Sequence, residues 1–333
     1  MPEPSDLKDF RRHAEWALVA ATALERGLLD ALAEEPDDAA GLADRLDLDA
    51  RATRIVLGVL EEMGLVRSEP GGVRRVTGEA RGALIDPDTP DYRRDAVLHW
   101  LSHLRDWAES LPATLRTGEP PADEETVDEE EALERFQAAM AAKSPELVEA
   151  VIDEAARRAP GGGRALDLGG GPGTFSRELL DRGREVVLMD TPEVIDHVAD
   201  DYGLAGLEGL ELVSGDFHEE LPDGPFQLVL MANITHIFDD ATNERLVRRV
   251  GERIAPGGVL AVLDFVRGVE PFSALFAVTM LMHTERGDTH PLPRYEAWME
   301  AAGLEEVRCR GVPEERQVVT AVRPRRRGPD GDR

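Results

Sequence analysis

Hydrophobic and polar positions follow two different patterns along the chain, and the change falls near residue 160. Before it, apolar residues recur at spacings of three and four, which is the period of amphipathic helices. After it, short apolar runs that end in glycine or an acidic residue alternate with helical stretches. The second pattern is typical of an α/β unit with a parallel sheet, because parallel strands need crossover helices between them.

The first 90 residues are predicted to form helices followed by a small hairpin. Helical patterns cover residues 7–34, 41–46 and 49–63, and a turn at 69–72 joins two short strands. This order is typical of a winged helix. The stretch Ala17–Ala23 carries one polar side chain and is more apolar than a small domain needs, which predicts a dimerisation domain over residues 1–90.

Residues 91–158 are predicted to be a helical connector that contributes to a substrate pocket and to the dimer. The rest is a catalytic domain over residues 159–322, followed by a polar, disordered tail at 323–333. The strands predicted in this domain are 165–168, 185–190, 210–214, 227–232, 259–264, 305–310 and 317–322.

A glycine-rich turn follows the first strand of this domain. In the G-x-G-x-x-G dinucleotide fingerprint the third glycine would fall on Thr174, so that fingerprint does not fit. The segment Asp167-Leu-Gly-Gly-Gly-Pro-Gly173 instead places glycines at every second position after an acid. It resembles motif I of the S-adenosylmethionine-dependent methyltransferases. A backbone without side chains lets a ligand lie directly against it.

Polar side chains end the other strands of the same sheet. Asp190 can accept both hydroxyls of a ribose, and Asp216 beside Phe217 suits an adenine amine and its ring. The fourth strand runs into Asn233-Ile-Thr-His236, and the fifth ends on Asp264. Ligands of open parallel sheets bind at the carboxyl ends of the strands, so we expect these groups to lie on one edge.

Residues 10–322 resemble the plant-type (caffeate- and acetylserotonin-like) O-methyltransferase family, including its bacterial or archaeal small-molecule members. The resemblance rests on the glycine segment, Met189-Asp-Thr-Pro-Glu-Val-Ile195, Gly215-Asp-Phe217 and Asn233-Ile-Thr-His-Ile-Phe-Asp-Asp240. It implies a Rossmann-like class I domain that binds S-adenosylmethionine, preceded by an α-helical winged-helix dimerisation domain. It also implies a homodimer and a small, aromatic hydroxyl acceptor.

By this resemblance His236 is the general base, since a histidine accepts a proton near pH 7, and Asp264 orients its ring. The residues expected to bind the cofactor are Asp167, Gly169, Gly171, Asp190, Thr191, Asp216, Phe217, Asn233 and Ser144. The residues expected to line the substrate pocket, unless they are ordinary core, are Phe136, Met140, Phe276 and Met280.

The sequence departs from the family at two places near the histidine. Members often carry an acid directly after it, where this chain has Ile237. Many also carry a second glutamate where this chain has Thr289, with Asp288 beside it. A second acid assisting His236 is therefore an open point, and a C- or N-methyltransferase or a cofactor-sensing regulator stays as an alternative.

The net charge and the cysteine content exclude some classes of binding partner and site. The net charge of −29 argues against nucleic-acid binding, and residues 1–80 alone carry 10 Lys/Arg against 17 Asp/Glu. The acidity fits either adaptation to high salt or a GC-rich genome, since 36 of the 38 basic residues are arginine. One cysteine excludes an intrachain disulfide, and no metal site, signal peptide or membrane span is expected. We therefore expect a cytoplasmic enzyme.

Overall fold

The computed structural model describes residues 6–89, 91–121, 129–159 and 161–325. The chain divides into two compact units, between Ser110 and Leu111. The predicted tail lies outside the described residues from position 326 onward. No helix in the described ranges is long and apolar enough to span a membrane.

The first unit is built from helices and one two-stranded antiparallel sheet. Its elements are α1 (Asp6–Glu25), α2 (Leu28–Glu34), α3 (Ala39–Leu46), α4 (Ala50–Glu62), β1 (Val66–Ser68), β2 (Arg74–Val76), α5 (Gly78–Leu84) and α6 (Arg94–Thr117), which continues past the division. Asp49 caps α4 by accepting the N–H of Ala52. Gly64, in the left-handed region at φ 75°, lies just past the end of this helix.

One hydrophobic core holds the first unit together. It joins leucines of α2, α3 and α4 to the two strands. The fully or almost fully buried members include Leu24, Leu29, Leu32, Leu42, Leu57, Leu60, Val66 and Val76. The sequence spacing of three and four is therefore explained by burial of one face of each helix.

The second unit alternates helices with strands. Its elements are α7 (Glu129–Ala141), α8 (Pro145–Ala156), β3 (Arg164–Leu168), α9 (Thr174–Asp181), β4 (Glu185–Asp190), α10 (Pro192–Asp201), β5 (Leu210–Ser214), β6 (Phe226–Ala232), α11 (Asp240–Arg253), β7 (Ile254–Asp264), α12 (Phe272–His283), α13 (Leu292–Ala301), β8 (Glu305–Val312) and β9 (Arg316–Val322). Strand β7 begins five residues earlier than predicted, because Ile254 pairs with Phe226 before the Pro-Gly-Gly turn.

In the described part of the chain these strands form a seven-stranded sheet of order β5-β4-β3-β6-β7-β9-β8. Strands β3 to β7 are mutually parallel, as the alternating pattern predicts. Strand β9 runs antiparallel to both β7 and β8, so the parallel pattern does not extend to it. The reason is the short connection after β8, which allows a hairpin but no crossover helix.

Apolar cores lie on both faces of this sheet. On one face, side chains of β3, β6 and β7 pack against α11 and α13, with Tyr295 and Trp298 fully buried. On the other face, α8 and α9 cover the sheet through Leu147, Val151 and Phe175. Burial on both faces explains why the central strands are continuous apolar runs.

The order of strands reverses at β3, which has β4 on one side and β6 on the other. The last residue of β3, Leu168, is in register with Met189 of β4 and Met231 of β6. The loops after all three strands therefore leave the sheet at the same edge. Such a reversal point is where open α/β sheets bind ligands.

Candidate active site

The glycine turn after β3 depends on backbone conformations that other residues rarely adopt. Gly169, Gly171 and Gly173 have φ values of 67°, 49° and 73°. A Cβ on Gly169 would lie 2.7 Å from the Cδ1 of Ile234, and one on Gly173 would lie 2.8 Å from Leu204. The turn is thus packed against the loop after β6 on one side and the loop after α10 on the other.

Asp190, at the end of β4, is tied to this turn by a hydrogen bond. Its Oδ2 accepts the N–H of Gly171 at 2.9 Å, and its Oδ1 accepts the N–H of Thr191 at 2.8 Å. Burial raises the pKa of Asp190, while these two hydrogen bonds oppose the shift. The side chain of Thr191 is exposed at the start of α10 and makes no capping bond.

Asp167 is completely buried beneath the turn. Its Oδ2 accepts the hydroxyl of Ser176 at 2.8 Å, whereas its Oδ1 has no hydrogen-bond partner among the described residues. Burial raises the pKa of Asp167 to about 6, and the negative charge of Asp190 adds to the rise. A buried carboxylate oxygen without a donor is costly, so this oxygen is suited to a donor from a ligand.

The loop after β5 holds the predicted adenine contacts. Asp216 is exposed, and its Oδ1 accepts the N–H of His218 at 2.7 Å. The ring of Phe217 is half-buried and lies edge-on to Phe238 at 6.1 Å. The two residues are adjacent at the same sheet edge as Asp190, because β4 and β5 pair in register.

Two further predicted cofactor contacts have structural roles. Ser144 caps α8, accepting the N–H of Leu147 at 3.3 Å, and its hydroxyl donates to Glu314 at 2.8 Å. Asn233 has a left-handed backbone at φ 60°, unusual for a residue other than glycine. Its N–H donates to the carbonyl of Leu263 at 2.9 Å, and its side-chain oxygen accepts a hydrogen bond from Arg316.

His236 and Asp264 form a hydrogen-bonded dyad, as predicted. His236 lies in a 3-10 turn after β6, and its Nδ1 is 2.7 Å from the Oδ1 of Asp264 at the end of β7. Both side chains are buried, with 9% and 1% of their surface exposed. An ionised carboxylate only accepts hydrogen bonds, so Nδ1 carries the proton and Nε2 carries the free lone pair.

Asp264 is held in place by several donors besides the imidazole. Its Oδ2 accepts the hydroxyl of Thr235 and the N–H of His236, and its Oδ1 accepts the N–H of Phe265 at 2.8 Å. The Thr235 hydroxyl is also 3.0 Å from the hydroxyl of Tyr295. Burial by itself would raise the pKa of Asp264, but the interaction with the His236 ring and these hydrogen bonds outweigh burial and lower the pKa.

Aromatic side chains lie beside the dyad. Phe276 of α12 meets the His236 ring edge-on at 4.9 Å, and its own ring is 4.3 Å from Phe265. Met280, one turn further along α12, is buried. Phe136 on α7 is 52% exposed. Of the four residues predicted to line a substrate pocket, the structure thus places Phe276 in contact with the dyad.

The side chains at the places where family members carry a second acid make contacts away from the dyad. Asp288 pairs with Arg267 through both carboxylate oxygens, at 3.1 and 2.9 Å. The hydroxyl of Thr289 donates to the carbonyl of Ser273 at 3.0 Å. Ile237 is 39% exposed. Within the described ranges, no three His, Cys, Asp or Glu side chains are grouped so that they could hold a metal ion.

Some residues at the site were not anticipated. Lys143 and Arg316 are cations beside the glycine turn, Gln137 reaches that turn from α7, and Thr235 and Tyr295 extend the dyad. The sequence did offer one sign that Lys143 is unusual, because it is one of only two lysines among the 38 basic residues. The others carried no local signal, because long-range packing brings them to the site.

Residues 103–305 match the O-methyltransferase domain family. The chain belongs to the O-methyltransferase family. The mitomycin biosynthesis 6-O-methyltransferase of Streptomyces lavendulae is 30% identical over 90% of this chain and 88% of that protein. The 3-amino-4-hydroxybenzoate 4-O-methyltransferase of Streptomyces cremeus is 30% identical over 90% and 85%. The fold resembles human N-acetylserotonin methyltransferase in complex with S-adenosylmethionine, with a TM-score of 0.80, 20% identity, and 97% and 99% of the two chains covered.

O-methyltransferases of this family use S-adenosylmethionine, and the residues of this member fit that cofactor. The turn offers a backbone free of side chains, and Asp190 lies beside it with a carboxylate that suits a ribose. Two buried oxygens, Asp167 Oδ1 and Gln137 Oε1, have no donor among the described residues. Acceptors of this kind suit the ammonium group of an amino-acid tail.

The raised pKa of Asp167 leads to a prediction about the unliganded O-methyltransferase. A folded-state pKa of about 6, above the unfolded value, favours the fold at low pH, and this contribution is lost as pH rises through 6. We therefore expect Asp167→Asn to weaken S-adenosylhomocysteine binding yet remove a stability loss of roughly 1–2 kcal/mol between pH 5 and 7.5. Urea unfolding of both proteins at the two pH values measures the difference. Parallel pH dependence of wild type and variant would contradict it.

Proposed function

We propose that this O-methyltransferase transfers a methyl group to a hydroxyl of a small aromatic metabolite, with His236 as the general base. The observation that carries the proposal is the His236–Asp264 dyad, 2.7 Å apart at the end of β6 and β7 and flanked by Phe276. Two neighbouring strand ends supply the base and its orienting acid on the sheet edge that also carries the glycine turn.

The cofactor is proposed to lie across the carboxyl ends of β3, β4 and β5. Gly169 and Gly171 leave room for the amino-acid tail, and Asp190 accepts the ribose hydroxyls. Asp216 and Phe217 take the adenine amine and ring, while Asn233 contributes its backbone. Bound there, S-adenosylmethionine supplies a methyl group on a positively charged sulfur, which leaves as a neutral thioether when an oxygen takes the methyl.

His236 moves one proton in this scheme. Its Nδ1–H is held by Asp264, so Nε2 accepts the hydroxyl proton of the acceptor as the new O–C bond forms. Asp264 stays ionised and stabilises the imidazolium that results. The remaining work is positioning, because an activated methyl group needs an oxygen held in line with it.

An aromatic acceptor is supported by the rings beside the base. Phe276, Phe265 and Phe272 form a cluster with ring centroids 4.3 to 6.2 Å apart, and Phe276 contacts His236 directly. Flat rings pack edge-to-face or offset on such side chains. The Streptomyces cremeus relative is named for a hydroxybenzoate, which is a compound of this class.

The test is a screen of phenolic acceptors with a methyl donor labelled in the methyl group. We expect labelled product 14 mass units heavier than the acceptor, with the methyl on oxygen. A methyl group on carbon or nitrogen would instead support the alternative methyltransferase activities. Binding of S-adenosylhomocysteine without transfer to any acceptor would favour a cofactor sensor.

We further propose that the first unit is a winged-helix dimerisation domain. The order of α2, α3 and α4 followed by the β1–β2 hairpin supports the winged-helix assignment. Leu18 and Ile55 are 47% and 45% exposed on its surface, which supports a self-association surface. Light scattering should give twice the monomer mass of 36.5 kDa. A monomer at micromolar concentration would refute the dimer.

A further inference from the structure

Two largely buried cations lie beside the glycine turn. Lys143 follows α7 and donates a hydrogen bond to the neutral carbonyl of Met140. Arg316 begins β9, and its guanidinium donates to the neutral amide oxygen of Asn233 and stacks on the ring of Phe265 at 4.6 Å. The hydrogen bonds found for both cations are to neutral oxygens. Buried charges are normally paired with charges of opposite sign.

Both cations contact residues that pack next to the turn. The Lys143 ammonium lies 5.8 Å from the ring centroid of Phe175, which is in the first turn of the helix that follows the glycines. Arg316 holds Asn233, whose neighbour Ile234 packs against Gly169. Ser144, next to Lys143, bonds to Glu314, two residues before Arg316. These contacts bring the two cations to one region of the site.

The charges around this region are incompletely paired. The nearest carboxylate contact of Arg316 is with Glu314, and its Nε–Oε2 distance of 3.9 Å is too long for a hydrogen bond. The Nε is buried and has no hydrogen-bond partner in the part of the chain that the structure describes. Burial and the nearby positive charge of Arg316 lower the pKa of Lys143 to about 8, while the charges of Asp167 and Glu314 oppose the shift. Carboxylates thus lie near both cations, but among the described residues neither cation has a hydrogen bond to one.

The buried polar groups without a hydrogen-bond partner near the turn are of two kinds, acceptors and donors. Asp167 Oδ1 and Gln137 Oε1 are buried acceptors, whereas Arg316 Nε is a buried donor accompanied by the Lys143 ammonium. Gln137 Oε1 lies 3.1 Å from the position of a Cβ on Gly171, so it also faces the turn. An α-amino acid carries both groups that these side chains lack, a carboxylate and an ammonium.

We propose that Lys143 and Arg316 together bind the carboxylate of the cofactor's methionyl tail, opposite Asp167 and Gln137, which bind its ammonium group. This inference rests on the proposed function, because it assigns residues to the tail of the same cofactor. Two cations and a buried acid in one pocket recognise a zwitterion rather than a simple anion. Lys143 and Arg316 are then specificity residues for a nucleoside that carries an amino acid.

Calorimetric titration of Lys143→Met with two ligands tests the proposal. S-adenosylhomocysteine carries the amino-acid tail, and 5′-methylthioadenosine has the same nucleoside and sulfur without it. We expect the variant to bind S-adenosylhomocysteine about 10- to 100-fold more weakly, and to bind 5′-methylthioadenosine with wild-type affinity. The second ligand also shows that the variant is folded. Lys143→Arg, which keeps the charge, should recover part of the lost affinity.

Arg248→Met is the matched control, because it removes an exposed cation that pairs with Glu244 on α11. It should bind both ligands as the wild type does. Equal losses for both ligands in Lys143→Met, or no loss for either, would overturn the proposal. Failure of the wild type to bind S-adenosylhomocysteine at all would instead refute the proposed function, so the two failures are distinguishable.

Discussion

Replacing His236 with alanine is expected to lower the rate of methyl transfer by about 100- to 10,000-fold. The variant lacks the Nε2 that accepts the hydroxyl proton, so the acceptor must react as its less nucleophilic neutral form. The contacts of the His236 ring are with Asp264 and Phe276, so S-adenosylhomocysteine affinity should stay unchanged. Single-turnover transfer of a labelled methyl group and calorimetry measure the two quantities.

A suitable control for this variant is His197→Ala. His197 lies on α10 and its Nδ1 is 2.9 Å from Asp201, so it is a histidine paired with an aspartate away from the dyad. It should transfer methyl groups at the wild-type rate. If His236→Ala also does so, His236 is not the base and its contact with Asp264 serves only to hold the loop after β6. A higher pH should partly restore the His236→Ala rate, because phenolic acceptors then ionise in solution.

Asp264→Asn is expected to reduce methyl transfer by a similar factor of about 100 to 10,000. An asparagine can present its N–H₂ to Nδ1 of His236, which favours the tautomer with the proton on Nε2 and no lone pair for the acceptor. The side-chain volume is kept. With the N–H₂ in the place of Oδ1, the amide oxygen still accepts the N–H of His236, whereas the N–H of Phe265 loses its acceptor. The effect should fall on kcat, with the KM for the methyl donor unchanged.

The same variant makes a prediction about stability. Contacts with His236 and Thr235 hold the folded-state pKa of Asp264 below its ordinary value despite burial. Its ionised form therefore stabilises the fold above the unfolded pKa of about 4, and this contribution is lost as pH falls through the folded pKa. Urea unfolding should show wild type more stable than Asp264→Asn at pH 7, with the gap closing toward pH 3. A gap independent of pH would contradict this account.

Most of the cofactor-binding and catalytic residues that the sequence predicted lie at or near strand ends. Asp167, Asp190 and His236 each follow or end an apolar run, and the carboxyl ends of parallel strands share one edge. This rule about strand ends was enough to predict that these residues lie close together. The observed bonds of Asp190 to Gly171 and of His236 to Asp264 agree with that placement.

Other residues at the site could not be predicted from local sequence patterns. Arg316 lies more than 80 positions after Asn233 in the chain and meets it only because β9 folds back antiparallel beside β7. Tyr295 reaches Thr235 from α13 across the same core. Ser144 was predicted as a cofactor contact, and the structure adds that it caps α8. Such contacts depend on the packing of distant elements, which periodicity does not encode.

The sequence by itself determined the alternation of strands and helices, the glycine turn, and the acids and the histidine at strand ends. These features are local, since each depends on the residue types within one turn or strand. Only the tertiary structure decided how Asp264 is oriented and which residues extend the dyad. It also decided that Lys143 and Arg316 lie beside the turn with no anion hydrogen-bonded to either among the residues that the structure describes. The reason is that packing brings together charges from elements far apart in the chain. Whether a buried group has a hydrogen-bond partner depends on all of its neighbours in space, which a local sequence pattern does not contain.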